Sequence, residues 1–87
     1  LQLDPLSFNL FPTLTNNVIN ISYNIKTDKA VLLEIYDING KLVSAEKYFA
    51  RAKESKVINV GQLIHGTYIA KITTSEGSIS KPFNVIR

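Results

Sequence analysis

The chain has 87 residues, 45% of them hydrophobic and 20% charged, with a formal net charge of +3. This balance suits one small folded domain and is too apolar for a disordered tail. The absence of Cys excludes a disulfide framework, a thiolate metal site and a thiol nucleophile, and no apolar run approaches the roughly 20 residues of a membrane-spanning helix.

No Met is present, even at position 1, and no signal-peptide pattern opens the chain, so the sequence is expected to be a piece of a longer polypeptide. Residues 1–7 read as a linker, with a break at Asp4-Pro5, and residues 8–87 as the domain. Apolar and polar residues then alternate with a period of two, the mark of strands. Phe8-Asn9-Leu10-Phe11 predicts a short strand that stops at Pro12. Proline lacks the N–H a central strand must donate, so this strand belongs at an edge. In residues 18–25, Ile19, Ile21, Tyr23 and Ile25 share one face. Residues 30–37 are the most apolar stretch, with Val31, Leu33 and Ile35 on one face, and are expected to be central.

Asn39-Gly40 then stands between two apolar runs. A two-residue type I′ hairpin needs positive φ at both central positions, and Asn-Gly supplies it at low cost. Residues 41–49 form the return strand, which is expected to place Val43 in the core. Residues 50–55 are a charged loop. Residues 57–60 make a short strand, and the turn at 61–66 carries two apolar residues expected to be buried, Leu63 and Ile64. Residues 67–74 follow with Tyr68, Ala70 and Ile72 inward. A tight turn at Ser75-Glu76-Gly77 leads to residues 78–86, with Ile79, Phe83 and Val85 on one face and Pro82 at an edge or a bulge. Seven short strands with frequent turns and no amphipathic helix predict an all-β fold, a seven-stranded immunoglobulin-like antiparallel β-sandwich.

The residues offer no catalytic constellation. His65 is the one histidine, and a triad or metal site needs partners that the composition lacks. Asp37-Ile38-Asn39-Gly40 resembles the start of a calcium loop but is without the later acidic ligands. No Gly-rich phosphate loop opens a helix. Asn20-Ile21-Ser22 matches the short N-glycosylation triplet. Lys47, Arg51, Lys53 and Lys56 are the densest cations, but Glu46 and Glu54 interrupt them, as expected of solvated strand ends rather than a nucleic-acid patch. Tyr23, Tyr36, Tyr48 and Tyr68 either fill the core with their hydroxyls at the surface or line a carbohydrate-binding face. Tyr68, two residues after Gly66, also suits a corner tyrosine that bonds backbone across a loop. The chain is expected to be no enzyme and to need no cofactor or metal.

Several motifs stand in a telling order. Phe11-Pro12-Thr13-Leu14-Thr15-Asn16-Asn17 comes first, followed by Ile19-Asn20-Ile21-Ser22-Tyr23. Tyr36-Asp37-Ile38-Asn39-Gly40-Lys41-Leu42-Val43 is the hairpin, and Leu63-Ile64-His65-Gly66-Thr67-Tyr68 the later loop. Lys81-Pro82-Phe83-Asn84-Val85-Ile86-Arg87 closes the chain. In this order the chain resembles the type A C-terminal sorting domain of the type IX secretion system. Tyr36, Asp37, Asn39, Gly40, Lys41, Leu63, Gly66 and Tyr68 are the matching motif positions. The sequence departs from that family at Thr13-Leu14, where Asn-Pro is usual.

The resemblance implies a secretion signal on a cargo protein of a Gram-negative bacterium. The cargo would be an upstream domain of the same chain and would reach the periplasm by a separate signal. The translocon would then carry it to the cell surface or release it, and a sortase-like protease would remove the signal. Lys81, Pro82, Phe83, Asn84, Val85, Ile86 and Arg87 would be the segment that the translocon recognises, with no nucleic acid and no transmembrane segment involved. The alternative is a carbohydrate-binding or adhesive sandwich module of a larger extracellular protein.

Overall fold

Strand propensity and alternation produce eight strands and no helix among the described residues of the computed structural model, which are 8–23, 28–51, 55–75 and 77–86. The linker at 1–7, Ile25, Lys53, Glu54, Glu76 and Arg87 lie outside the described residues. The strands are β1 (Phe8–Phe11), β2 (Leu14–Thr15), β3 (Val18–Tyr23), β4 (Lys29–Asp37), β5 (Leu42–Ala50), β6 (Ser55–Asn59), β7 (Gly66–Thr74) and β8 (Gly77–Val85). One sheet has the order β1-β3-β6 and the other β2-β8-β7-β4-β5. As expected from Pro12, β1 is an edge strand, and β4 is internal, paired with both β5 and β7.

The expectation of seven strands in a wholly antiparallel arrangement is corrected by β2. Leu14 and Thr15 pair in parallel with Asn84 and Val85, so the larger sheet is mixed. Two residues carry no readable period, and this strand owes its existence to its neighbour. The Asn84 and Ile86 N–H groups donate to the Thr13 and Thr15 carbonyls, each at 2.8 Å.

Both sheets turn their apolar faces to one shared core. Phe8, Leu10, Ile19, Ile21, Tyr23 and Ile58 come from the smaller sheet, and Val31, Leu33, Ile35, Tyr68, Ile72, Phe83 and Val85 from the larger. Burial of about 25 cal/mol per Å² of apolar surface is the main force joining the sheets. Among the strand residues expected in the core, Val43 is turned out, at 37% exposed. Ile35 pairs with Ser44 but Tyr36 pairs with Leu42, so Val43 is the extra residue of a β-bulge. The bulge puts Ser44 where an unbroken register would have placed Val43.

The hairpin turn lies just before that bulge, beyond the Tyr36–Leu42 pair. The Gly40 N–H donates to the Asp37 carbonyl at 3.0 Å, which makes Ile38 and Asn39 the central residues. Gly40 follows at φ 84°, and the Asp37 N–H returns to the Lys41 carbonyl at 2.9 Å. This is the three-residue hairpin with a left-handed glycine, not the expected two-residue type I′ turn on Asn39-Gly40. Asp37 stabilises it further, its Oδ1 accepting the N–H groups of Asn39 and Lys41, each at 2.9 Å. Gly40→Val is expected to cost about 1–2 kcal/mol, since a β-branched residue must enter the left-handed region. A Cβ at this position meets nothing within 4 Å, so the whole cost is conformational. An unchanged melting temperature would contradict this turn.

Candidate recognition surface

The terminal segment is more embedded than a free tail. Phe83 and Val85 are buried in the core, and Phe83 stacks on Tyr68 with ring centroids 5.7 Å apart. Asn84 holds the strand laterally, its Oδ1 accepting the Thr67 hydroxyl at 2.7 Å. Lys81 is half-buried and its Nζ lies 5.7 Å from the centroid of the Phe8 ring, so its stem spans the two sheets. Ile86 and Pro82 are exposed.

Pro82 pairs with Ile69 in the β7–β8 ladder. Asn84 and Ile86 donate their N–H groups away from β7, toward β2. At a period of two, position 82 points the same way, to the side where β2 has not yet begun. Proline therefore removes no ladder bond. The open edge of β8 lies upstream of Asn84, because β2 occupies the edge at Asn84 and Val85.

The two internal motifs meet at one end of the sandwich. The β4–β5 hairpin and the loop before β7 line a groove of about 430 Å³, to which Asp37, Lys41, Leu63 and Tyr68 all contribute. Tyr68 is the corner tyrosine that its place after Gly66 suggests. Its hydroxyl donates to the Ile64 carbonyl at 2.6 Å and ties the loop to the first residues of β7. Leu63 reaches the core as expected, whereas Ile64 is turned out to solvent, 79% exposed. The Leu63 N–H donates to the Val60 carbonyl at 3.0 Å, and this tight turn buries Leu63. Tyr36 lies half-buried opposite Ile69 on the outer face of the larger sheet, where its hydrogen bond to the Glu34 side chain raises its pKa.

The remaining tyrosines form no sugar-binding platform. Tyr23 and Tyr68 are buried, and Tyr48 is half-buried against Tyr23 at 6.3 Å between centroids. Burial pushes the Tyr48 hydroxyl up and holds it neutral. The Tyr23 and Tyr48 hydroxyls have no hydrogen-bond partner among the described residues. Tyr68→Phe is therefore expected to cost about 1 kcal/mol, and Tyr23→Phe to stay within about 0.5 kcal/mol of the parent, by chemical denaturation. Equal losses for the two would refute the difference.

Two members of the cationic cluster, Lys56 and Arg51, sit in local pairs. Lys56 meets Glu46 at 2.9 Å while lying over the Tyr48 ring, and Arg51 meets Asp28 at 3.6 Å. Among the described residues no group of three or more His, Asp or Glu side chains gathers as a metal site, and no helix is long and apolar enough to cross a membrane.

A search of curated proteins returns no match. The sequence profile of the secretion system C-terminal sorting domain matches residues 9–86, which take in all eight strands except Phe8, the first residue of β1. The chain thus belongs to the family of type IX secretion C-terminal sorting domains.

Proposed function

We propose that this domain is a transferable export signal that hands an attached cargo to the type IX translocon at the outer membrane. The cargo is an upstream domain of the same polypeptide, brought to the periplasm by its own leader. After translocation a sortase-like protease removes the sorting domain, and the cargo is attached to the cell surface or released. In this reading the domain is a substrate of the machinery and catalyses nothing. The frame reads as immunoglobulin-like, since β4, β7 and β8 are neighbours in one sheet and a corner tyrosine stands at the start of β7.

The family match over residues 9–86 carries this reading. A fluorescent protein with a periplasmic leader, fused ahead of the 87-residue chain in a host with the secretion system, is expected at the cell surface or in the medium. Retention in the periplasm of that host would reject the reading.

A further inference from the structure

Ile38 and Ile64 are the most exposed large apolar side chains among the described residues, at 75% and 79%. The fold does not ask for either. Ile38 is a central residue of a tight turn, a position that polar residues fill readily. Ile64 follows Leu63, which alone of the two enters the core. Yet both loops rim the same groove of about 430 Å³, and Val43, set outward by the bulge, extends its apolar wall. Three apolar side chains held in water around one concavity mark a surface built for contact.

The charges of the rim indicate what it meets. Lys41 and His65 line the groove, and neither side chain has a hydrogen bond or ion pair among the described residues. Asp37 is the one acid among the lining residues, and its Oδ1 is committed to two backbone N–H groups of the hairpin. We infer that the groove docks an extended segment of a partner protein, with a large apolar side chain seated between Ile38 and Ile64 and a carboxylate beside Lys41. Apolar contact supplies the affinity, and the opposite charges set orientation and encounter rate. This inference rests on the sorting-signal reading, takes the partner from the export machinery, and adds a surface distinct from the last strand.

The export fusion tests it with four chains: the parent, Ile38→Gln with Ile64→Gln, Lys41→Glu, and Lys41→Gln. Exported reporter is measured beside the melting temperature of each purified domain. The double Gln variant and Lys41→Glu are expected to lose export about tenfold or more at a parental melting temperature, with Lys41→Gln in between. Parental export of the double variant overturns the groove. A double variant that fails while Lys41→Glu exports normally overturns the acidic partner. If the double variant melts early, Ile64→Gln alone decides the same question, because it leaves the hairpin intact. A parent fusion retained in the periplasm rejects the sorting-signal reading and the groove with it.

Discussion

Leu33→Ala is expected to lower the unfolding free energy by about 2–5 kcal/mol. Leu33 sits in β4, the strand flanked by β5 and β7, and is 2% exposed. Its cross-strand neighbour Ile72 is fully buried, so the shortened side chain leaves a cavity in the middle of the sheet that few groups can move to fill. Domains hold roughly 0.05–0.15 kcal/mol per residue, or about 4–13 kcal/mol for a chain of 87 residues. The lost methyl and methylene groups therefore remove a large share of the total. At about 4–8 °C per kcal/mol, the melting temperature should fall by about 8 °C or more. Leu42→Ala, at an exposed position of β5, is expected to stay within about 0.5 kcal/mol of the parent. A Leu33→Ala domain that melts with the Leu42→Ala control would contradict a core shared by both sheets.

Period-two alternation makes most of this core readable in the sequence. Ile19, Ile21, Val31, Leu33, Ile35, Leu63, Tyr68, Ile72, Phe83 and Val85 are all buried. The reason is mechanical: in a strand with one wet face, the side-chain period fixes which residues turn inward. The departures arise where a backbone event breaks that period. Val43 leaves the core because a bulge shifts the register between Ile35 and Tyr36. Ile64 leaves it because the Val60 to Leu63 turn buries Leu63. The strand β2 is illegible in the sequence because two residues show no alternation, and its parallel pairing depends on a strand about 70 positions away. The groove follows the same rule. The hairpin and the Gly66-Thr67-Tyr68 loop are each visible as local motifs, but only the β4–β7 pairing, which sets Asp37 opposite Tyr68, brings them to one end of the sandwich.

Deleting residues 83–87 is expected to abolish export, and the structure indicates that the fold will fail with it. The deletion removes Phe83 and Val85 from the core and the Phe83–Tyr68 stack. It also strips the pairing of Tyr68, Thr67 and Gly66 from β7, and β2 loses both of its partners. Loss of one buried Phe alone typically costs about 3–5 kcal/mol, so the truncated chain should melt with little cooperativity or none. Export of that chain at the parental level would overturn any role for the terminal strand. The charge reversal Lys81→Glu with Arg87→Glu separates recognition from folding. Lys81 contributes a contact over the Phe8 ring, worth about 0.5–1 kcal/mol at a partly exposed site, so its loss leaves the domain folded. If the translocon reads cationic side chains at this end, export of the reversal variant should fall several-fold while its melting temperature drops by only a few degrees, because reversed charge weakens encounter and orientation with an acidic surface. Parental export of the reversal variant would assign the terminal strand to folding and leave recognition to another face of the domain.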